Sequence, residues 1–146
     1  MNVDEKQIAG NHYETSKPGG VQHWTYCVGV NVPYLEAAAS KYLTRWRKKN
    51  GLQDAQKALH YMEKRLESYD KGIGVLKGAR KNTMMFEKFI TDNGISREEE
   101  RILDRVMHWS HRGILVEAIT RIQALITQIE NEEAEATSAY VNQGGE

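Results

Sequence analysis

The sequence has a single cysteine, no net charge and no long apolar run. Cys27 has no second cysteine to pair with, which excludes an internal disulfide and suits a reducing cytoplasm. No apolar run approaches the ~20 residues that a membrane-spanning helix needs, and the opening residues MNVDEKQIAG contain no apolar signal segment. We therefore expect a cytoplasmic protein without a membrane partner.

The charged residues balance overall but are unevenly distributed. Basic and acidic side chains each number 20. This balance argues against nucleic acid as a partner, because proteins that bind it usually carry a basic excess. Residues 41–81 hold most of the cations, whereas residues 130–135 read ENEEAE. The basic part of the chain therefore suits a phosphate-bearing small molecule.

Apolar residues recur at helical spacing along most of the chain, and the alternation typical of strands is nearly absent. The sequence therefore predicts an all-α protein, a small helical bundle with a helical C-terminal extension. We divide the chain into a helical domain at residues 1–70, a glycine-rich basic connector at 71–83, the extension at 84–135 and a flexible tail at 136–146.

The extension contains two predicted helices. A capping box at Ser96 and Glu99 opens the first, and the second runs from Ile114 to about Glu133. Apolar residues of the second helix keep the a/d spacing of a heptad repeat, namely Leu115, Ala118, Ile122, Leu125 and Ile129. This pattern predicts a homo-oligomer that assembles through the C-terminal helices.

The most informative stretch is residues 41–66, which reads as two helices joined at a short turn. At about 100° per residue, Lys41, Arg45 and Lys48 share one stripe of the first helix, and Tyr34 joins the stripe at the helix start. A neighbouring arc is apolar and should face a core, namely Leu35, Ala39, Tyr42, Leu43 and Trp46. A row of cations beside a core-facing edge is held in place, as an anion site requires.

The second helix of this pair places Asp54, Lys57 and Tyr61 beside its own buried face. Antiparallel packing across a short turn brings the two polar sets together. The competing interpretation is a solvent-exposed charged face, which is how most such faces turn out. The residues alone leave both interpretations open.

Other motifs that carry chemistry are incomplete. The connector reads GIGVLKG at 72–78, but no Gly-Lys-Ser/Thr follows it, so it is not a P-loop. His108 and His111 stand three residues apart without a third metal ligand at a familiar spacing. No Ser-His-Asp or Cys-His arrangement is apparent, and Cys27 has no neighbouring cation to activate its thiol.

Four short elements occur in order between Gln7 and about Glu67. They read QIAGNHY at 7–13, QHW at 22–24, YLEAAASKYLTR at 34–45 and KNGLQDAQKALHY at 49–61. The last two keep the spacing KYxxRxxxKxGxxDxxKAxxY. This arrangement resembles a family of small phage proteins long catalogued as of unknown function and often labelled nucleotide kinase. The resemblance covers somewhat under half of the chain.

The resemblance implies a phage-encoded protein that acts on nucleotides in the cytoplasm of the infected host cell. The best-known members of that family phosphorylate deoxynucleoside monophosphates without a P-loop, and they form oligomers. For this chain it implies a kinase-like enzyme that transfers phosphate from ATP, with Mg²⁺ held by oxygen ligands.

Carrying the family pattern onto the matching positions assigns candidate roles. Lys41, Arg45 and Asp54 become the catalytic candidates, and Glu36 with Asp54 becomes the candidate Mg²⁺ site. The remaining candidates would contact the nucleotide, namely His12, Tyr13, Tyr34, Lys57 and Tyr61 from the family pattern and Lys48 from the basic stripe. For His12 and Tyr13, a packed N-terminal arm is an equally open interpretation.

The chain departs from the family pattern at one point, where Ala37-Ala38 replaces the usual Gly-Asn. An asparagine at position 38 has an amide that hydrogen-bonds a substrate, and alanine has none. A second hypothesis is therefore a non-catalytic protein that sequesters a signalling nucleotide of host defence. A third is a helical module whose partner is another protein.

Overall fold

The computed structural model describes residues 3–5, 15 and 18–142. The described residues contain helices and no strand, which confirms the predicted all-α class. The six α-helices are α1 at His23–Val30, α2 at Tyr34–Arg45, α3 at Leu52–Asp70, α4 at Thr83–Asp92, α5 at Arg97–His108 and α6 at Arg112–Asn142. Short 3-10 turns occupy Val3–Glu5 and Trp46–Lys48. None of these helices combines the length and apolar character that crossing a bilayer requires.

Helices α2 and α3 form the predicted antiparallel pair. Pro33 precedes α2 with extended backbone, so its missing N–H costs no helical hydrogen bond. After Arg45 the helix tightens into the 3-10 turn, and Gly51 then starts α3 with φ 51° and ψ −119°. That positive φ favours glycine, because residues with a Cβ rarely adopt this backbone conformation. The pair therefore reverses direction within six residues, 46–51.

The last helix is longer than the sequence predicts. Ser96 caps α5 as expected, its hydroxyl accepting the Glu99 N–H at 3.2 Å. Helix α6, however, continues past the predicted end at Glu133 to Asn142, into the segment predicted as a flexible tail. No glycine or proline interrupts the chain there before Gly144, so nothing stops helical propagation.

The heptad residues of α6 are buried within the chain itself. The five residues that predicted an oligomer seam are 6% exposed or less, namely Leu115, Ala118, Ile122, Leu125 and Ile129. Helix α6 packs mainly against α3 and α5 of the same chain. A heptad pattern suits packing inside one bundle as well as packing between chains. The argument for a homo-oligomer through this seam therefore loses its basis.

One hydrophobic core joins the predicted domain and its predicted extension. Tyr26 of α1, Met62 of α3, Phe86 of α4, Leu103 of α5 and Ile122 of α6 are all fully buried in it. Residues 84–135 therefore complete the core of the first 70 residues instead of extending from it. The cause is that α3 has an apolar face which α2 alone does not cover.

The glycine-rich connector is attached to the bundle at its far end. The Gly78 N–H donates to the Trp109 carbonyl at 2.7 Å, and the Ala79 N–H donates to the Met107 carbonyl at 2.8 Å. A Cβ added at Gly78 would lie 2.6 Å from the Met107 carbonyl oxygen. Glycine is required at this position because the two backbone segments approach so closely.

A buried carboxylate connects three parts of the chain. Glu36 of α2 is fully buried, and Arg65 of α3 donates to it through Nε and Nη2 at 2.8–3.1 Å. Trp109, between α5 and α6, donates its Nε1–H to the same carboxylate at 2.7 Å. Both carboxylate oxygens are therefore occupied by donors from elsewhere in the fold.

We expect Glu36→Gln to lower the free energy of unfolding by about 3–5 kcal/mol, because it leaves the Arg65 charge buried without a counter-charge. The measurement is urea denaturation followed by circular dichroism. Glu63→Gln, at an exposed position on α3, is the matched control and should change stability by about 0.5 kcal/mol or less. Equal effects of the two substitutions would show that the buried ion pair does not hold the helices together.

Candidate functional site

Three cations surround the ring of Tyr42. Lys41 Nζ lies 4.7 Å from the ring centre, Arg45 Cζ 4.6 Å and Lys57 Nζ 5.2 Å. Helix α2 supplies the first two cations and the ring, and α3 supplies Lys57. The helix pair thus brings together at one ring three of the candidates that the family resemblance implies, Lys41 and Arg45 from α2 and Lys57 from α3. Each cation is close enough to the ring for a cation–π contact.

Two further tyrosines extend from this ring. Tyr61 of α3 stacks on Tyr42 with ring centres 6.0 Å apart and an angle of 16° between planes. Tyr34 meets Tyr61 edge-on at 6.3 Å, and 73% of its surface is exposed. Partial desolvation, and then the proximity of Tyr34 and Tyr42, raises the pKa of Tyr61.

A cleft of 410 Å³ opens between α2 and α3 beside the tyrosines. Its lining combines apolar, aromatic and cationic side chains, namely Leu35, Tyr42, Lys57, His60, Tyr61 and Lys64. A volume of a few hundred cubic ångströms with few polar groups is typical of small-molecule sites. Of the predicted residues, Tyr61 and Lys57 line this cleft, and Lys41 lies at the same ring.

Two of the cations are not neutralised. Within the described residues, Lys41 and Lys57 have no carboxylate at ion-pairing distance; their contacts are with the Tyr42 ring. Lys64, by contrast, pairs with Glu67 at 2.9 Å. The side chains of Lys41 and Lys57 are also half-buried, so their charge is less screened by water than that of an exposed lysine. This end of the cleft therefore attracts an anion.

Arg45 and Asp54 have a structural role that the sequence interpretation missed. Arg45 is 9% exposed and its Nε lies 3.3 Å from Oδ2 of the fully buried Asp54. The Asn50 N–H donates to the same carboxylate oxygen at 3.4 Å. Asp54 lies in the first turn of α3, where its negative charge also stabilises the helix dipole. The pair closes the turn between the helices, which leaves neither residue open to a substrate.

The expected Mg²⁺ ligands do not come together. Glu36 is bound by Arg65 and Trp109, and Asp54 by Arg45. In the part of the chain that the structure describes, no group of three or more His, Cys, Asp or Glu side chains is arranged to hold a metal ion. The resemblance implied that Glu36 and Asp54 hold the metal, but in the structure each of them faces a buried arginine.

Three other predicted residues fall outside the cleft or outside the described structure. Lys48 is exposed in the 3-10 turn and does not line the cleft, because the chain leaves α-helical spacing after Arg45. His12 and Tyr13 lie outside the described residues.

A cluster of thiol, imidazole and hydroxyl groups lies where α1 meets α2. Cys27 Sγ is 3.4 Å from His23 Nε2, which is 2.7 Å from Ser40 Oγ. Burial raises the pKa of Cys27 to about 12. Burial, and then the nearby Lys41 charge, lowers the pKa of His23 to about 4. The pair therefore stays as neutral thiol and neutral imidazole, the opposite of an activated nucleophile. The sequence analysis did not identify this cluster. The spacing of four residues between His23 and Cys27, which places them on one helix face, could have indicated it.

His108 belongs to a second hydrogen-bonded chain. Its Nε2 lies 2.6 Å from the hydroxyl of the buried Tyr26, and its Nδ1 lies 2.8 Å from Asp104 Oδ1. Lys81 pairs with the same carboxylate at 3.2 Å. His111, three residues on, is exposed and takes no part. The chain of contacts joins α1 to α5 and is structural.

Neither the protein-family models nor the curated proteins nor the solved structures contain a match to this chain. The resemblance to the phage family therefore stays a prediction.

We expect acid to destabilise the fold through His23. Its pKa of about 4 in the folded chain is below the ordinary value of 6.5, so between these values the unfolded chain binds more protons. The free energy of unfolding should therefore rise with pH by up to about 1.4 kcal/mol per unit across this window and then level off. Urea denaturation between pH 4.5 and 7.5 measures this slope.

Two variants test whether His23 causes the pH dependence of the free energy of unfolding. His23→Gln should flatten the slope, whereas His60→Gln, which changes an exposed histidine on α3, should leave it as in the unmodified protein. An unchanged slope in His23→Gln would show that other groups cause the acid sensitivity.

Proposed function

We propose that this protein binds a nucleotide in the cleft between α2 and α3. The observation that carries the proposal is the convergence of the un-neutralised Lys41 and Lys57 on the Tyr42 ring, next to a stack of tyrosines. A nucleotide has the matching chemistry, an anionic phosphate joined to a flat aromatic base.

The phosphate half of the proposal depends on the lysines. Lysine ammonium groups bind phosphate as point charges, and hydrogen bonds to charged groups contribute about 1.5–3 kcal/mol each. Lys57 lines the cleft directly. Lys41 meets the same ring from α2, so the positive charge at this end of the cleft comes from both helices.

The aromatic half depends on the exposed end of the tyrosine stack. Tyr34 is mostly exposed and lies edge-on to Tyr61, which lines the cleft. Stacking of a base on an aromatic side chain is worth about 1–3 kcal/mol and tolerates any base. The arrangement favours a nucleotide over inorganic phosphate alone.

The positions of the carboxylates favour nucleotide binding without phosphoryl transfer. Phosphoryl transfer generally needs metal-binding oxygens beside the phosphate, and both Glu36 and Asp54 are committed to buried arginines. Sequestration of a nucleotide needs only the cations and the rings. Kinase-like transfer from ATP, which the family resemblance implies, is the second candidate.

One assay separates the two candidates. The protein is incubated with ATP, Mg²⁺ and each deoxynucleoside monophosphate, and the products are resolved by ion-exchange chromatography. A diphosphate product that disappears in Lys57→Ala supports transfer. Nucleotide affinity without any product supports sequestration. If no nucleotide binds, a helical module with a protein partner is left as the hypothesis.

We expect Lys57→Ala to weaken nucleotide binding about tenfold or more, because it removes a charge-assisted contact. Isothermal titration calorimetry with a panel of ribonucleotides and deoxynucleotides measures the effect. Lys49→Ala is the matched control, since Lys49 is exposed in the turn between α2 and α3. Arg45→Ala does not serve here, because it leaves Asp54 buried without its counter-charge and destabilises the fold. Equal affinities in the Lys57 and Lys49 variants would exclude the proposed site.

Tyr34→Ala should distinguish the contribution of the base to nucleotide binding from that of the phosphate. We expect the substitution to weaken nucleotide binding about fivefold or more, through lost stacking, while affinity for inorganic tripolyphosphate stays unchanged. The same calorimetric titration with each ligand measures both. A parallel loss for the two ligands would show that Tyr34 does not contact the base.

A further inference from the structure

The connector between α3 and α4 displays aliphatic side chains to solvent. Ile73 is 60% exposed, Leu76 is 73% exposed and Val75 between them is 37% exposed. Aliphatic residues so close together are an uncommon surface feature, and such patches mark interaction sites. The nucleotide cleft does not use any of the three.

Backbone hydrogen bonds hold this loop at both ends. The Ile73 N–H donates to the Ser68 carbonyl at 2.8 Å, and the Gly78 N–H donates to the Trp109 carbonyl at 2.7 Å. The aliphatic side chains therefore project from a segment of six residues, 73–78, that is tethered at both ends. Docking such a segment costs less ordering entropy than docking a free chain.

Cations flank the aliphatic residues on both sides. Lys77 and Arg80 are exposed and have no carboxylate partner among the described residues, whereas Lys71 pairs with Glu67 at 3.4 Å and Lys81 with Asp104 at 3.2 Å. The loop therefore combines apolar tips with a local excess of positive charge.

We propose that residues 71–81 dock this protein on an anionic lipid surface. Ile73 and Leu76 enter the boundary between headgroups and acyl chains, while Lys77 and Arg80 lie among the anionic headgroups. A bilayer accepts displayed aliphatic side chains without a shaped pocket, whereas an acidic protein would have to supply one. The sequence-based expectation of no membrane partner considered only spanning segments, and surface attachment needs none.

Sedimentation with lipid vesicles tests the proposal on the full chain. Vesicles of phosphatidylcholine alone are compared with vesicles that contain about 30% phosphatidylglycerol, which gives them the negative surface potential of an anionic leaflet. We expect binding only to the anionic vesicles, with a decrease as salt screens the charges. Removing both free cations in Lys77→Gln/Arg80→Gln should lower the partition coefficient about fivefold per charge.

Matched control variants distinguish binding through residues 71–81 from nonspecific adsorption to vesicles. Ile73→Ser/Leu76→Ser should abolish vesicle binding, whereas Met84→Ser, at a side chain of α4 that is 78% exposed, should preserve it. Lys49→Gln/Arg97→Gln, at exposed cations elsewhere, is the control for charge. Failure of the unmodified protein to bind anionic vesicles would overturn the proposal, as would equal binding by the loop variant and its control.

A fluorescent probe locates the contact. Cys27 is slow to react because burial raises its pKa to about 12, so Leu76→Cys can be labelled selectively with an environment-sensitive dye. Anionic vesicles should shift the emission of this dye to the blue, and should leave the same dye on Met84→Cys unchanged. A shift with polyglutamate that matches the shift with vesicles would identify a general polyanion-binding loop and overturn the lipid assignment.

Discussion

The buried carboxylate of Glu36 is the constraint on which the rest of the structure depends. A carboxylate without solvent is costly unless it is paired and hydrogen-bonded. Its partners are Arg65 on α3 and Trp109 between α5 and α6, so the charge is satisfied only when three distant segments meet in one register. The Trp109 contact also fixes the position of α5 and α6 on the α2–α3 pair, whose uncovered apolar face they bury.

A second buried ion pair, Arg45 with Asp54, fixes the other end of the helix pair. In sequence, Tyr42 lies between Glu36 and Arg45 on α2, and Lys57 and Tyr61 lie between Asp54 and Arg65 on α3. The cleft is therefore spanned by two ion pairs that set the distance and register of its walls. Arg45, Asp54 and Glu36, which the sequence suggested as catalytic or metal-binding residues, instead fix the two helices in place. Lys41 and Lys57, which lie between the two ion pairs, are the cations left for a ligand.

Much of the helical architecture was accessible from the sequence, because helical periodicity and capping are local. The pairing of α2 with α3, the Ser96 cap and the approach of Lys41 to Lys57 all follow from spacing and turn length. The packing partner of the α6 heptad residues could not be predicted, because the same spacing suits a helix of the same chain and a helix of a second copy. The His23–Cys27 cluster was also missed, because its chemistry depends on how deeply it is buried.

The sequence by itself determined which residues share a helix face, and therefore that a row of cations runs along an apolar edge with Tyr42 in it. Only the tertiary structure decided which of those charges are neutralised. Arg45 meets Asp54 and Arg65 meets Glu36, whereas Lys41 and Lys57 meet only the ring of Tyr42 within the described residues. The physical reason is that ion pairing depends on distances between residues brought together by packing, and periodicity along one helix carries no information about those distances.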